Sequence, residues 1–489
     1  FFASPMIDNG YDVADYCDIN PMFGTMEDMD NLISECNKRN MYIMIDIVAN
    51  HTSDKHRWFL EALKGKDNPY HDYYIFKDKP YHEEHRACFG GPSWEYVEEL
   101  DEYYFHEFAV EQPDLNWDNP KVREEMANVI NFWMNKGIKG IRFDVIHLIG
   151  KEVENGIYGY GPTLHERVKE LNYNSYGNFD IVTVGEAWGN LEQAKEFTLP
   201  ERHELNMVFQ FECTSYTNVP EKCGKFTPRP IDMHFVKKTL IKYQKGLNDC
   251  SWNALFVENH DLGRCINRFG DLNYKDESAK CIALFNYCLK GTPYIYQGQE
   301  IGMLNIKMNS LEEYRDVEVF TSYKDFVLDL KMITHEEFLE GCYKEARDNN
   351  RTPVQWSAGV NAGFNSGAEP WIKINENYEE INVSKQIDDP NSILNFYKKL
   401  FEIRKNSKYR DVLVYGEFDA FDEENPNTFI YTRTLNNIRV AVIANMTNVS
   451  QKVLLPFDFS NIILSNYSSI LKDSDFELKP YEALLVEVK

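Results

Sequence analysis

Short, almost wholly apolar runs are the feature that most constrains the fold of this chain. Each is five to eight residues long and is followed by a polar or glycine-containing loop and then by a helical pattern. Continuous apolar runs of this length are typical of strands buried on both faces of a parallel sheet. The alternation therefore predicts an α/β fold, either a barrel or a doubly wound sheet. The runs lie at 41–48, 140–146, 180–185, 205–211, 253–257 and 292–296.

The last part of the chain has a different pattern. From about residue 412 the sequence reads as short strands separated by turn residues, which predicts a small antiparallel β domain. A helical pattern over 392–406 is expected to join this domain to the preceding part of the chain. The predicted strands lie at 429–433, 438–445, 452–455 and 484–488.

The charge of the chain restricts its partners. The 489 residues carry a formal net charge of −26, which repels nucleic acid phosphates and anionic lipid headgroups. We therefore expect neither nucleic acid nor a membrane as partner, and no apolar run approaches the roughly 20 residues of a membrane-spanning helix. The 10 cysteines include no CxxC pair, which favours reduced thiols in a cytoplasmic protein.

Three carboxylates fall at or just after the end of predicted buried strands. Asp144 lies in the 140–146 run, Glu186 directly follows the 180–185 run, and Asp261 follows the 253–257 run. In an α/β barrel this end of the strands is where the active site is built. Each carboxylate alone is as well explained by a buried ion pair or a helix cap, but the three together indicate a site.

Neighbouring residues suggest different tasks for these carboxylates. Arg142 and Asp144 are two residues apart on a strand, so they project from the same face, and the guanidinium is expected to favour the ionised carboxylate. Glu186 has no cation near it in sequence and follows an apolar strand, so its pKa is expected to be raised, as a proton donor requires. His51 and His260 lie close to strand ends and are candidate hydrogen-bond donors to hydroxyl groups of a substrate.

Four ordered segments resemble the motifs of the α-amylase superfamily, glycoside hydrolase family 13. Further segments are similar to the branch of oligo-1,6-glucosidases and dextran glucosidases. The resemblance runs from residue 1 to about residue 400 and continues more weakly through the tail. The four superfamily segments are 46–51, 140–144, 184–186 and 258–261, and the branch segments are 8–12, 23–25, 50–54, 112–117 and 347–353.

The resemblance implies a fold and its domains. It implies a (β/α)8 TIM-type barrel at 1–51 and 113–407, an inserted lobe after the third strand at 52–112, and a C-terminal antiparallel β-sandwich at 408–489. The first barrel strand has no counterpart in this sequence, so we expect it to be missing and the chain on its own to be poorly soluble or inactive. The family's calcium loop would lie upstream of residue 1, so no cofactor and no metal site are expected.

The resemblance also implies roles for single residues. Asp144 would be the nucleophile, Glu186 the general acid and base, and Asp261 the carboxylate that holds and distorts the sugar. Reaction by double displacement with retention would place the first two carboxyl groups roughly 5–5.5 Å apart. The substrate-binding residues would be Asp8, Tyr11, His51, Arg142, Val145, Trp188, His260 and Arg347.

The expected function is exo-acting, retaining hydrolysis of α-1,6-glucosidic bonds at the non-reducing end of isomalto-oligosaccharides or dextran-derived chains. In this branch Val after the nucleophile favours α-1,6 linkages, and Val145 stands there, although strand packing also explains it. The alternatives are a trehalose-6-phosphate hydrolase, an α-1,4-glucosidase, and, from another class, an inactive carbohydrate-binding paralogue. The oligomeric state is not determined by the sequence, and a monomer is expected.

Two further features do not fit a simple pattern. Gly263 stands where the family usually has Pro, which is expected to loosen that loop. Gly156, Gly159 and Gly161 form a glycine-rich loop that does not match a phosphate-binding pattern, and we interpret it as an ordinary loop.

Overall fold

The computed structural model describes residues 1–468 and 474–489. The chain forms two compact units, each with its own packed interior. The first unit contains Phe1–Gln210 and Asp316–Lys331, and the second contains Phe211–Arg315 and Met332–Lys489. The domain boundaries expected from sequence follow a different division and stay predictions.

Strands and helices alternate along most of the chain, and strands dominate its last part. The strands are β1 Phe2–Ala3, β2 Asp15–Ile19, β3 Met44–Val48, β4 Phe76–Lys77, β5 Trp94–Val97, β6 Glu102–Phe105, β7 Gly140–Asp144, β8 Val182–Glu186, β9 Met207–Phe209, β10 Ala254–Leu255, β11 Thr292–Pro293, β12 Glu417–Phe421, β13 Thr428–Leu435, β14 Ile438–Asn445, β15 Gln451–Leu454, β16 Phe459–Ser465, β17 Asp475–Leu478 and β18 Ala483–Val488. The α-helices are α1 Met26–Lys38, α2 Arg57–Ala62, α3 Pro120–Lys136, α4 Leu164–Asn174, α5 Leu191–Thr198, α6 Met233–Leu247, α7 Cys265–Phe269, α8 Lys275–Tyr287, α9 Val317–Tyr323, α10 His335–Glu345, α11 Asp348–Arg351, α12 Val383–Gln386, α13 Ile393–Asn406 and α14 Arg410–Tyr415.

A parallel sheet forms the centre of the first unit. Strand β7 pairs with β3 on one side and with β8 on the other, and β8 pairs with β9, all in parallel. Helix α3 returns the chain to β7: it begins with the Asn119 cap and Pro120 at its first position, and it ends at Gly137 in the left-handed conformation. The carboxyl ends of the parallel strands therefore lie at one edge of the sheet.

An antiparallel sheet of β4, β6 and β5 forms a lobe between β3 and α3. Helix α9, followed by a π-helical turn at Lys324–Asp329, packs against this lobe although it comes much later in the sequence. The buried carboxylate of Asp325 binds Arg86 and accepts a hydrogen bond from the Gly91 N–H at 3.2 Å. The Ser322 hydroxyl donates to the Phe89 carbonyl at 3.1 Å. The segment 316–331 is thus part of the lobe's packing.

The second unit combines a short parallel pair, β10 with β11, and an antiparallel sheet in the order β12-β13-β14-β18-β16. Two buried arginines connect the sheet and its neighbouring helices through main-chain carbonyls. Arg433 on β13 donates to the carbonyls of Cys288 and Gly416, and Arg404 on α13 donates to that of Gly291. These bonds satisfy carbonyls at the ends of α8 and α14, which would otherwise be buried without partners.

The predicted parallel strands are present but several are shorter than the apolar runs. The 253–257 run pairs only over Ala254–Leu255, and the 292–296 run only over Thr292–Pro293. The predicted antiparallel tail is confirmed, and β12, β16 and β17 extend it beyond the strands expected from sequence.

Candidate active site

One guanidinium organises the carboxyl ends of the parallel strands in the first unit. Arg142 Nη1 donates to Asp46 Oδ2 at 2.6 Å and to Asp144 Oδ1 at 2.8 Å, and Arg142 Nη2 donates to Glu186 Oε2. Asp46, Arg142 and Glu186 come from three neighbouring strands, β3, β7 and β8. The candidate nucleophile and the candidate acid are therefore held on the two amino groups of the same side chain.

The strand register explains this arrangement. Asp46 of β3 lies opposite Arg142 of β7, and Val48 lies opposite Asp144. Because side chains alternate along a strand, Arg142 and Asp144 share a face while Phe143 points to the other face and is buried. Asp46 was not predicted as a site residue from the sequence. The available signal was a charged residue inside the apolar run 41–48, two positions before the run ends.

The electrostatics of this cluster differ from the expectation. Burial raises the pKa of the Asp144 carboxyl well above its usual range, the carboxylates of Glu186 and Asp46 add to the rise, and the attraction of Arg142 opposes it without overcoming it. Glu186 has no cation near it in sequence, but the fold brings Arg142 into contact with it. Three carboxyl groups against one guanidinium favour retention of a proton within the cluster.

Val145 has an unusual backbone conformation directly after Asp144. Its φ of 34° and ψ of 43° are left-handed, which is costly for a β-branched residue. Its side chain is buried in a cluster with Phe89, Phe108 and Leu148, two of which belong to the lobe region. Val145 therefore ends strand β7 sharply and connects it to the lobe.

Trp188 lies beside the candidate acid. Its indole Nε1 donates to Glu186 Oε1 at 2.9 Å, and 40% of the residue remains exposed. One carboxylate oxygen of Glu186 is thus bound by Arg142 and the other by Trp188. The partly exposed indole is available to contact a ligand.

The remaining predicted binding residues of the first unit form a buried network. Tyr11 donates its hydroxyl to Asp46 Oδ2 at 2.7 Å, and the Tyr11 carbonyl lies 3.1 Å from His51 Nε2. Gln112 Nε2 lies 3.1 Å from Asp8 Oδ2 and 3.2 Å from His51 Nε2. Burial lowers the pKa of His51 to about 4, so its imidazole is neutral at physiological pH.

A buried ammonium lies next to this network. Lys151 Nζ is 2.7 Å from Asp114 Oδ2 and also binds Asn50 Oδ1. Asn50 Nδ2 lies 3.1 Å from both Asp114 Oδ2 and His51 Nδ1. The Lys151–Asp114 pair was not expected from sequence, because its two members are far apart in the chain.

The other predicted site residues lie together in the second unit. Asp261 Oδ1 accepts a hydrogen bond from Arg351 Nη2 at 3.1 Å and lies 3.6 Å from Arg347 Nη1. His260 Nε2 lies 3.1 Å from Asp261 Oδ2. Asp261 is therefore bound by cationic or hydrogen-bonding groups on both oxygens. Arg351 was missed, although it lies within the 347–353 segment that carries the resemblance.

The expectation that Gly263 loosens its loop is wrong. A Cβ atom at this position would lie only 2.4 Å from the Lys344 carbonyl oxygen, so the main chain is packed closely there. The next residue, Arg264, is anchored by its N–H to Asn305 Oδ1 at 2.7 Å. Glycine is required by this close approach, and the loop is held in place.

In the part of the chain that the structure describes, no group of three or more His, Cys, Asp or Glu side chains is arranged to hold a metal ion. Within the same residues, no helix has both the length and the apolar character needed to cross a membrane.

Comparisons with known proteins agree with this geometry. Residues 1–416 match the family model described as alpha amylase, catalytic domain. An oligo-1,6-glucosidase from Bacillus cereus is 44% identical over 100% of this chain and 90% of its own length. A glucan 1,6-alpha-glucosidase from Streptococcus pneumoniae is 40% identical with the same coverage.

Comparison with a solved structure agrees with the sequence comparisons. The crystal structure of isomaltulose synthase from Erwinia rhapontici NX5 superposes with a TM-score of 0.94 at 37% identity, covering 100% of this chain and 90% of that one. The expected fold class, a TIM barrel followed by an antiparallel β domain, is thereby confirmed. The chain belongs to the α-amylase family and is a glycoside hydrolase that acts on oligosaccharides.

Proposed function

We propose that this chain is an exo-acting, retaining α-glucosidase that hydrolyses α-1,6 bonds at the non-reducing end of isomalto-oligosaccharides or dextran-derived chains. The observation that carries the proposal is the binding of Asp144 and Glu186 to one guanidinium, that of Arg142, at the ends of adjacent parallel strands. A retaining glycosidase needs such a close pair of carboxyl groups.

The proposed reaction has two steps. The Asp144 carboxylate forms a bond to the anomeric carbon while the bond from that carbon to the glycosidic oxygen breaks, and Glu186 gives its proton to that leaving oxygen. Glu186, now ionised, takes a proton from a water molecule whose oxygen displaces Asp144 from the anomeric carbon. The first step needs Asp144 ionised and Glu186 protonated, so the proton that burial favours on the Asp144 carboxyl has to pass to Glu186 before that step.

The other predicted site residues are proposed to bind the terminal glucose. Asp261, supported by Arg347 and His260, would accept hydrogen bonds from sugar hydroxyls. In the first unit, Asp8, Tyr11 and His51 are the proposed binding residues, and the neutral imidazole of His51 suits binding to an uncharged sugar. Removal of the Asp261 carboxylate by substitution with Asn tests its part in the proposal.

Exo cleavage is supported by the lobe. Phe89 and Phe108 pack directly on Val145, the residue after the proposed nucleophile. A lobe this close to Asp144 forms a wall, and a walled pocket admits a chain end more readily than the middle of a polymer. We also propose a monomeric, cytoplasmic enzyme, and the cytoplasmic location is supported by the absence of a CxxC pair among its 10 cysteines.

The α-1,6 preference is supported by the similarity to an oligo-1,6-glucosidase and a glucan 1,6-alpha-glucosidase, and by Val145. Replacement of Val145 by Ala is expected to shift preference toward α-1,4 linkages, because loss of two methyl groups changes the shape of the site for the leaving sugar. Pocket changes of this size are worth roughly 1–3 kcal/mol of discrimination. The ratio of kcat/KM for isomaltose to that for maltose measures the effect. An unchanged ratio would assign Val145 to packing alone.

A single set of assays tests the proposed function. Glucose release is measured from isomaltose, maltose and trehalose 6-phosphate, and proton NMR identifies the anomer formed first from isomaltose. The proposal expects the highest kcat/KM for isomaltose and α-glucose as the first product. Faster turnover of maltose or trehalose 6-phosphate would favour the corresponding alternative. Early β-glucose would contradict retention, and binding without turnover would support the inactive paralogue.

A further inference from the structure

Glu258 and Arg264 form a buried ion pair that the proposed reaction leaves without a role. Arg264 Nη1 donates to Glu258 Oε1 at 2.7 Å, and neither side chain has any exposed surface. Removal of two charges from water costs free energy that their attraction only partly returns, and a pair of apolar side chains in such a place is often at least as stable. Stability alone therefore does not explain why two charged residues occupy these positions.

The pair closes the loop that carries His260 and Asp261. Glu258 directly follows the 253–257 run, and Arg264 directly precedes helix α7. The second oxygen of Glu258, Oε2, accepts a hydrogen bond from the Cys265 N–H at 2.9 Å. One carboxylate thus binds residues 264 and 265 together, and the two ends of the loop cannot separate without the loss of these bonds.

The guanidinium of Arg264 also contacts the segment that follows β11. Its Nη1 donates to the Gln297 carbonyl at 2.9 Å, and the group lies over the Tyr296 ring, 5.6 Å from the ring centroid. The Tyr296 hydroxyl donates to the Asn350 carbonyl at 2.8 Å. Asn350 Nδ2 in turn donates to the Asn259 carbonyl, inside the loop, at 2.6 Å. These contacts form a closed circuit that begins and ends at the loop.

Arg351, which follows Asn350 in the chain, connects this circuit to the Asp261 carboxylate. Its Nε donates to the His260 carbonyl at 3.2 Å, and its Nη2 donates to Asp261 Oδ1 at 3.1 Å. Inside the loop, the Asp261 N–H donates to Asn259 Oδ1 at 2.9 Å. The position of the Asp261 carboxylate therefore depends on how the loop and Arg351 are held relative to each other.

We propose that Glu258 and Arg264 are positioning residues, which hold the Asp261 carboxylate in place through the loop that they close. For its kinetic consequences this inference rests on the proposed function, in which Asp261 binds the terminal glucose. Its structural consequence, the dependence of the Asp261–Arg351 hydrogen bond on the ion pair, does not depend on that function.

The first test is structural and compares crystal structures of the wild type and of the double variant Glu258→Met with Arg264→Met. The double variant removes both charges together, so no unpaired charge stays buried and the protein is expected to fold. The inference expects the loop to shift and Asp261 Oδ1 to leave hydrogen-bond distance of Arg351 Nη2. An unchanged hydrogen bond would overturn the inference, whether or not the protein hydrolyses isomaltose.

A second variant, Glu258→Gln, is used if the double variant does not fold. An amide has one acceptor oxygen where a carboxylate has two, so it cannot accept hydrogen bonds from both Arg264 and the Cys265 N–H. One end of the loop is then released while the size of the side chain is kept. The distance from Asp261 Oδ1 to Arg351 Nη2 decides this case in the same way.

The second test is kinetic and uses the variant Asp261→Asn. The double variant is expected to lower kcat/KM for isomaltose about 10-fold, because a small displacement of a binding group is costly in the transition state. In the Asp261→Asn background the same double replacement should lower kcat/KM by less than about 2-fold, since the carboxylate through which the pair acts is already absent. A pair that only stabilises the fold would lower kcat/KM by the same factor in both backgrounds, and this result would overturn the inference.

The control is Arg123→Met with Glu170→Met, which removes an ion pair of 2.7 Å between α3 and α4. Neither residue belongs to the site, so kcat/KM for isomaltose should stay within about 2-fold of the wild type. An equal loss in this control would show that the effect is not specific to the 258–264 loop, against the inference. A wild type inactive on isomaltose, maltose and trehalose 6-phosphate would refute the proposed function and leave the structural test to decide the inference.

Discussion

Replacement of Asp144 by Asn is expected to lower kcat on isomaltose by about 10⁴-fold or more, because the amide cannot form the bond to the anomeric carbon. The variant should still bind the sugar, since Asn keeps the shape of the side chain and Arg142 keeps Glu186 and Asp46 as partners. Initial rates of glucose release, with binding of isomaltose followed by calorimetry, measure both quantities.

The matched control is Asp180→Asn, on the exposed loop just before strand β8. It should leave the rate within about 2-fold of the wild type, as expected for a surface substitution away from the site. Glu186→Gln should reduce isomaltose hydrolysis strongly but 4-nitrophenyl α-glucoside hydrolysis less. Residual activity of Asp144→Asn above a tenth of the wild-type rate would refute its role as nucleophile.

Replacement of Lys151 by Met is expected to lower the free energy of unfolding by about 3–5 kcal/mol, because it leaves the Asp114 carboxylate buried without its cation. Urea denaturation followed by circular dichroism measures the change. The double variant Lys151→Met with Asp114→Asn should lose less than the single variant, since it no longer buries an uncompensated charge.

An exposed ion pair provides the control for Lys151. Lys64 and Glu61 form a contact at 2.5 Å on the protein surface, where water screens the charges. Lys64→Met should therefore change the free energy of unfolding by less than about 0.5 kcal/mol. Similar losses for Lys151→Met and Lys64→Met would show that the buried pair has no special importance for stability.

The parallel strands could be predicted where the apolar signal was long and the following helix was well marked. The strands β3 and β7 lie within the runs predicted for them, and β8 extends one residue beyond its run, to Glu186. The helix α3 has both a clear cap and a clear end. The runs at 253–257 and 292–296 produced only two paired residues each. Apolar character indicates that a segment is buried. It does not determine how many of its residues pair by hydrogen bonds with the neighbouring strand.

The candidate site could be predicted as far as local geometry allows. The alternation of side chains along a strand correctly placed Arg142 and Asp144 on one face. It gave no information on Glu186, which lies 44 residues from Arg142 in sequence and binds the same guanidinium. Lys151 and Arg351 were missed for the same reason, since their partners are brought close only by the fold.

The contact between Asp325 and Arg86 can form only late in synthesis of the chain, after the lobe itself has been translated. These two residues are 239 positions apart, so the lobe leaves the ribosome long before its last packing segment exists. At ordinary translation speeds the delay is about 10–50 s. During that time Phe89 and its neighbours have no α9 to cover them, and contacts of such long range also form slowly. We therefore expect the lobe of the nascent chain to mature late and to be the part that depends most on chaperones.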